Sequence, residues 1–295
     1  MPDFGNAERR ILSYFEIGQE LWWGDRSYTV VMAGKPTSSS GEPKTDIYVL
    51  TQNDDGKKEF KISYKKENAD FLENKIKSER AEQIFGCKWR EIIESSTRAI
   101  EEKFKKRNLI YTSKMGRTEK GAITLGWKFE LLNKAGGELS GKMQLTRQQV
   151  YDVYSGINLS EDKKNSSVNG VIIENSGVAD YFLMTDKVSS AQEIIEKIVP
   201  IDEYINEKPE LYFACKALNY RTFSQKYDGD RPLSVQVDWH IDDGRLTADL
   251  VFDRPLMMNG NAMAERLLNC MRELGIRTTD DINSGNTDMK HVTSD

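Results

Sequence analysis

The sequence contains very little histidine and cysteine. Its two histidines, His240 and His291, are too few for a histidine-rich metal site. The three cysteines, Cys87, Cys215 and Cys270, lie far apart and match neither a disulfide framework nor the ligand spacing of a zinc site. Sparse cysteine of this kind is typical of proteins in a reducing compartment, so we expect an intracellular location.

Long apolar segments are absent as well. No run of about eighteen consecutive apolar residues occurs, which excludes a transmembrane helix. Residues 1–10 combine acidic and basic side chains and lack the apolar stretch of a secretory signal. We therefore expect a protein without a membrane partner, located in the cytoplasm of a bacterium or of the host cell if a phage encodes the chain.

The remaining composition is that of a globular protein. Hydrophobic residues make up 38% of the 295 residues, charged residues make up 30%, and five Trp, twelve Tyr and eleven Phe can anchor a core. Segments with helical and strand periodicity alternate along the chain, which predicts a mixed α/β (α+β) class. Residues 156–169 are polar and rich in turn formers, so we place an internal boundary near residue 155.

Individual elements can be predicted from periodicity and from capping signals. The spacing of apolar residues predicts helices over residues 7–21 and 68–85. A β-hairpin is expected over residues 121–145. Thr146, with Gln149 three positions later, predicts a capping box at the start of a further helix.

The charge of the chain is unevenly distributed. The net charge is -5 overall, yet residues 57–128 carry 19 lysines and arginines against 11 aspartates and glutamates. A local basic surface can bind a polyanion even when the whole protein is acidic. The same pattern also fits solvated helix faces, so charge alone leaves both interpretations open.

One short region combines acidic and basic side chains on two predicted strands. Residues 57–65 alternate polar and apolar side chains, and the apolar face is expected to join the core. The polar side chains of this strand share the other face, and they are Glu59, Lys61, Ser63 and Lys65. Asp46 begins the preceding strand, and a turn at Asp55-Gly56 joins the two strands. A tight hairpin would place Asp46 at the end that carries Lys65, whereas a wide loop or a bulge would move it toward Glu59.

These residue types suit metal-dependent phosphodiester chemistry. Two carboxylates on adjacent strands can bind Mg²⁺, which prefers oxygen ligands and keeps several waters. A bound metal ion polarises a phosphodiester and lowers the pKa of a bound water. A lysine on the same face can orient the nucleophile or stabilise charge on the transferred phosphoryl group. A solvated charged face on a half-exposed hairpin is the other interpretation of the same pattern.

The order of these residues resembles the PD-(D/E)XK nuclease superfamily, to which most type II restriction endonucleases belong. Asp46 is followed after twelve residues by an acid-x-lysine, Glu59 with Lys61. The resemblance covers roughly residues 7–90. It implies that Asp46 and Glu59 are ligands of Mg²⁺ and that Lys61 is the catalytic lysine.

The resemblance also implies a fold and an activity. The fold is a restriction-endonuclease-like core, with helices flanking a central mixed sheet, in residues 1–155, followed by an α+β recognition or dimerisation region in residues 156–277. Residues 278–295 are expected to form a disordered tail. The first helix of such cores often supplies a further catalytic glutamate, for which Glu16 and Glu20 are both candidates. The implied activity is Mg²⁺-dependent endonucleolytic hydrolysis of DNA, and a C₂ homodimer would supply the two active sites that cutting a duplex requires.

DNA contacts are expected on the acid-x-lysine strand and directly after it. Lysine, arginine, asparagine and hydroxyl side chains bind phosphates and fix the register without reading sequence. The predicted DNA-binding residues are Ser63, Lys65, Asn68, Asn74, Lys75 and Arg80. The basic side chains of this predicted helix could instead face solvent and pair with Glu73 and Glu79, and this interpretation is as well supported as phosphate binding. The alternative function is a catalytically inactive DNA-binding or assembly protein of the same fold.

Overall fold

The computed structural model describes residues 4–74, 76–185 and 187–293. These residues form nine α-helices and fifteen β-strands, which confirms the predicted mixed α/β class. The helices are α1 (Phe4–Leu12), α2 (Ser78–Phe85), α3 (Trp89–Arg98), α4 (Glu101–Lys105), α5 (Arg147–Ser155), α6 (Glu161–Lys164), α7 (Ala191–Lys197), α8 (Ile201–Glu207) and α9 (Gly260–Glu273). The strands are β1 (Glu20–Trp23), β2 (Arg26–Gly34), β3 (Ile47–Asn53), β4 (Gly56–Lys65), β5 (Phe71–Glu73), β6 (Ala122–Leu132), β7 (Ser140–Lys142), β8 (Ser167–Val168), β9 (Val171–Ile172), β10 (Tyr181–Met184), β11 (Val199–Pro200), β12 (Tyr212–Arg221), β13 (Lys226–Tyr227), β14 (Val235–Asp242) and β15 (Arg245–Val251). None of the described helices is long and apolar enough to cross a membrane.

The chain folds into two compact units, and each of them is built from two separate segments. The first unit comprises Met1–Asp70 and Leu145–Glu210, and the second comprises Phe71–Gln144 and Leu211–Asp295. The boundary expected near residue 155 therefore differs from the division that the structure shows. Polar composition is a local signal, whereas these units arise because strands distant in sequence pair with each other.

The first unit contains a six-stranded mixed sheet in the order β1-β2-β3-β4-β10-β11. Strand β10 runs parallel to β4, and the other neighbours are antiparallel. One face of the sheet packs against α1 and α7, where Ile11 and Ile194 meet Phe60 and Ile62 in the core. The apolar face of strand 57–65 is therefore buried as predicted.

The other face of β4 is also buried at Lys61 and Ser63, because the sheet carries helices on both sides. Phe182 of β10 lies beside Ser63 in the parallel register. Its ring contacts those of Tyr154 on α5 and Tyr204 on α8, with centroids 5.3 and 4.7 Å apart. Ser63 and Lys61 are only 2% and 9% exposed as a result. The interpretation of this face as a solvated hairpin surface is therefore wrong.

The second unit contains a seven-stranded sheet with β6 at its centre. The main order is β13-β12-β6-β14-β15, with β5 beside β6 and β7 beside β12. Helix α9 covers this sheet and buries Met263, Leu267 and Met271. The hairpin expected over residues 121–145 does not form. Strand β6 pairs with β12, β14 and β5, whereas β7 pairs with β12.

Two predicted helices are shorter than their apolar spacing suggests. The helix expected over residues 7–21 ends at Leu12, and residues 20–23 form β1, which pairs with β2. The helix expected over residues 68–85 begins only at Ser78, because residues 71–73 pair with β6 as β5. In both cases strand pairing overrides the local helical pattern, because intrinsic helix propensity is weak compared with tertiary contacts.

The C-terminal segment expected to be disordered is folded as far as residue 293. It forms two short 3₁₀ helices, Thr279–Asp281 and Met289–His291. Val292 is buried and forms a parallel bridge with Ile110. Its polar composition predicts disorder, but its backbone is paired with distant strands, which the local sequence does not indicate.

The central position of β4 generates a stability prediction. We expect Ile62→Ala to lower the free energy of unfolding by about 2–5 kcal/mol, because it removes a fully buried side chain and leaves a cavity. The matched control is Ile17→Ala, whose side chain is 76% exposed and whose removal should cost less than about 0.5 kcal/mol. Urea denaturation followed by tryptophan fluorescence measures both. Equal effects of the two substitutions would contradict the buried position of β4.

Candidate functional site

The register between β3 and β4 determines which polar side chains meet. The pairing is continuous from Asn53 opposite Gly56 to Ile47 opposite Ile62. Beyond this pair the Asp46 amide donates to the Ile62 carbonyl at 2.9 Å, so Asp46 lies beside Ser63. The structure therefore adopts the tight hairpin, which places Asp46 at the end of β4 that carries Lys65.

Glu59 lies at the other end of this strand face. It is paired with Leu50, and the Tyr48 hydroxyl donates a hydrogen bond to its Oε1. Burial and this hydrogen bond raise the pKa of Tyr48. Four positions along a strand correspond to roughly 13 Å, so the register separates Glu59 from Asp46. The structure does not bring together the two carboxylates predicted to share a metal ion.

Lys61 has a different set of partners from the one expected of a catalytic lysine. Its Nζ lies 3.1 Å from Oδ2 of Asp180 and 3.4 Å from the carbonyl oxygen of Asn175. The Asp180 amide in turn donates to the Lys61 carbonyl at 2.9 Å. Lys61 is therefore an ion-paired lysine of the interior, held by the segment that leads into β10.

Asp46 lies in a half-buried position among charged groups. Its Oδ2 accepts a hydrogen bond of 2.7 Å from the Tyr64 amide. Burial raises the pKa of Asp46; Lys65, the Tyr64 amide and Lys35 oppose this effect, and the Glu8 carboxylate adds to it. The net result is a raised pKa, so the ionised carboxylate is incompletely compensated by its own neighbours.

Glu8 and Lys35 complete this group of charges. Lys35 donates from its Nζ to Oε2 of Glu8. Burial alone would lower the pKa of Lys35, but Glu8, Asp46 and Glu42 outweigh it and raise the pKa. We call Glu8, Lys35, Asp46 and Lys65 the Asp46 cluster. Its side chains come from α1, from the loop after β2, from the residue before β3 and from the end of β4, and their charges act on the pKa values of Asp46 and Lys35.

The glutamate of the first helix is Glu8, and the sequence analysis missed it. Glu16 lies beyond the end of α1, and Glu20 is an exposed residue of β1 opposite Thr29, so neither belongs to the first helix. Glu8 is the single acidic residue of α1. Had the helix been ended at Leu12, where the apolar spacing becomes irregular, Glu8 would have been the remaining candidate.

The predicted DNA-binding residues have different environments. Lys65 belongs to the Asp46 cluster, and Ser63 is too deeply buried to meet a phosphate without rearrangement. Asn68 and Asn74 are exposed. Arg80 pairs with Glu73 at 3.1 Å; this confirms the pairing that was expected, but both side chains are largely buried and Glu73 lies on β5, so the pair is not on a solvent-facing helix. Lys75 lies outside the described residues.

The carboxylates of this region differ in how well they suit a metal ion. Within the described residues, no three His, Cys, Asp or Glu side chains are grouped so that they could hold a metal. Mg²⁺, however, is commonly bound by one or two carboxylates while it keeps several waters. Asp46 and Glu8 fit this requirement, because both are carboxylates in one cluster and the charge of Asp46 is incompletely compensated. Asp46 with Glu59 does not fit it.

Comparisons with known proteins give no further information about this site. No family model, no curated protein and no solved structure matches the chain.

The burial of Asp46 generates a prediction about stability and pH. Because its native pKa is raised, the ionised carboxylate destabilises the folded state at neutral pH, and this effect fades as the pH falls through the native pKa. We expect Asp46→Asn to have a higher melting temperature than the wild type at pH 7, with the difference vanishing below the ordinary aspartate pKa. Thermal scans at several pH values measure this.

The control for this prediction is Asp54→Asn, at an exposed position in the turn between β3 and β4. We expect this substitution to leave the melting temperature nearly unchanged at every pH. A lower melting temperature of Asp46→Asn at pH 7 would contradict the prediction.

Proposed function

We propose that the protein is a Mg²⁺-dependent endodeoxyribonuclease with a restriction-endonuclease-like core, and that the Asp46 cluster is its active site. The observation that supports this best is the arrangement at the ends of β3 and β4. Asp46 directly precedes β3, Lys65 ends the antiparallel neighbour β4, and the Glu8 carboxylate of the first helix acts electrostatically on Asp46. This arrangement has the residue types that the family resemblance implies, with Lys65 in the role expected of Lys61.

Asp46 and Glu8 would hold the metal ion in this proposal. Mg²⁺ bound there would supply Lewis-acid stabilisation of the phosphodiester and lower the pKa of a water. Lys35, which pairs with Glu8, compensates the carboxylate charge. Ser63 takes the strand position that Glu59 was expected to occupy, so the second carboxylate comes from α1 instead of β4.

Lys65 would act on the reacting phosphate. Water attacks phosphorus, a new P–O bond forms, and the bond to the 3′ oxygen breaks. One proton of the water passes to solvent, and the 3′ oxygen takes up a proton as it leaves. The Lys65 ammonium stabilises the negative charge that develops on the phosphoryl oxygens. The products are a 5′-phosphate and a 3′-hydroxyl, and cutting both strands would require a homodimer.

The proposal is tested by cleavage of supercoiled plasmid. We expect nicks or discrete fragments with Mg²⁺ and none with EDTA. Asp46→Asn and Lys65→Met should each lower the cleavage rate by at least about 10²-fold, because each removes a group that stabilises the reacting phosphate or its metal. The matched control is Lys57→Met, at an exposed position on the same strand, which should cleave at the wild-type rate. Full activity of Asp46→Asn would overturn the proposal.

A second candidate function is a DNA-binding or assembly protein that does not cleave. The observation that favours it is the separation of Glu59 from Asp46, which leaves the cluster with two carboxylates. This function predicts a mobility shift of duplex DNA that weakens as salt rises, since phosphate contacts release counterions.

The discriminating measurement is binding and cleavage on the same DNA over a salt series. Binding without cleavage in Mg²⁺ would favour the second function. Cleavage that is lost in Lys65→Met would exclude it.

A further inference from the structure

We infer that Lys61 is a positioning residue for Asp46, which it holds in place through the turn formed by residues 175–180. The consequence for catalysis rests on the proposed function, but the positioning itself does not. This turn arrives from a distant part of the chain and lies against the start of β3 and the end of β4.

Lys61 holds both ends of the turn. Its ammonium contacts the Asn175 carbonyl at 3.4 Å and the Asp180 carboxylate at 3.1 Å. Its carbonyl accepts the Asp180 amide at 2.9 Å. Inside the turn, the Val178 amide donates to the Asn175 carbonyl at 3.1 Å. The single side chain of Lys61 therefore bridges the first and the last residue of the turn.

The middle of the turn holds the backbone directly before Asp46. The Gly177 carbonyl accepts the amides of both Lys44 and Thr45, at 2.9 and 3.1 Å. These are the two residues that precede Asp46. The turn thus fixes the backbone directly before Asp46, whose carboxylate accepts a hydrogen bond from the Tyr64 amide.

Gly177 is required at this place for a steric reason. A Cβ atom at this position would lie 1.9 Å from the Lys163 carbonyl oxygen. The turn is therefore packed too closely to shift without breaking its hydrogen bonds. Docking the turn against β4 joins residues 114 positions apart, and contacts such as the Lys61–Asp180 pair offset the loss of chain entropy that this requires.

Lys61 is placed to act through the turn instead of on a substrate. Its side chain is 11% exposed and faces Asp180, whereas Asp46 is surrounded by Lys65 and Lys35. Substituting Lys61 would remove its ion pair with Asp180 and its contact with the Asn175 carbonyl, while the bond from the Asp180 amide to the backbone carbonyl of residue 61 would remain. The predicted result is a looser backbone at residues 44–45, with the Asp46 carboxylate no longer held against the Tyr64 amide.

The direct test is amide hydrogen exchange of the full-length protein, measured by NMR in Lys61→Met. We expect the Lys44 and Thr45 amides to exchange at least about tenfold faster than in the wild type, because local opening becomes easier. The Val30 amide, which donates to Gln19 at 2.9 Å in the same unit, should keep its rate. Lys57→Met should change none of these rates. Unchanged protection of Lys44 and Thr45 in Lys61→Met would overturn the inference.

A milder variant keeps the test decisive if Lys61→Met does not fold. Asp180→Asn keeps a hydrogen-bond acceptor but removes the charge, so the same two amides should exchange faster by a smaller factor. Equal exchange of these amides in Asp180→Asn and the wild type would overturn the inference. A uniform increase at Val30 as well would also overturn it, because that is the result of a purely structural role.

The catalytic consequence is measured separately. In Lys61→Met the Mg²⁺ concentration that gives half-maximal cleavage should rise about tenfold, as is usual when a residue that orients a metal ligand is removed. The affinity for plasmid DNA in Ca²⁺ should stay at the wild-type value, as in Lys57→Met.

If the wild type cleaves no DNA, the proposed function fails and the exchange rates still decide whether Lys61 positions Asp46. Unchanged Mg²⁺ dependence in an active Lys61→Met enzyme would overturn the positioning role.

Discussion

The register of β3 against β4 is the constraint on which the site depends. It places Ile47 opposite Ile62 in the core that α1 and α7 cover. Because side chains alternate along a strand, the same register places Asp46 beside Ser63 and moves Glu59 four positions away. A slip by one residue would turn Lys61 and Ser63 toward the apolar core under α1 and α7 and move Phe60 and Ile62 out of it, so this pairing is strongly specified. Core packing, and not the polar residues themselves, therefore decides which charges form the candidate site.

The buried charge of Lys61 and the half-buried charge of Asp46 are compensated differently. The charge of Lys61 is compensated within the chain by an ion pair with Asp180. The charge of Asp46 meets an amide and two lysines, yet burial still raises its pKa. A carboxylate left in this state costs stability, and such costs are concentrated at functional sites. Lys61, which fits the motif by its spacing, is paired with Asp180, and so Lys65 is the lysine that acts on Asp46.

Features that depend on neighbouring residues could be predicted from the sequence. The capping box of Thr146 and Gln149 forms, and so does the apolar face of strand 57–65. The end of α1 could not be predicted in the same way, because residues 20–23 leave the helical pattern to pair with β2. The partner of Lys61 lies more than a hundred residues further along the chain, and no local signal points to Asp180. The sequence therefore predicts the residue types of the site but not which of them meet.

The discontinuous first unit has a consequence for the order in which the protein can fold during synthesis. Its N-terminal segment, residues 1–70, emerges from the ribosome long before β10, β11 and α7, which complete the sheet and cover its core. Until β10 has emerged β4 has an open edge, and until α7 has emerged the apolar surface of its sheet has only α1 against it. Nascent intermediates of this kind expose strand edges and apolar surface and are prone to aggregate until the late neighbours of β4 arrive.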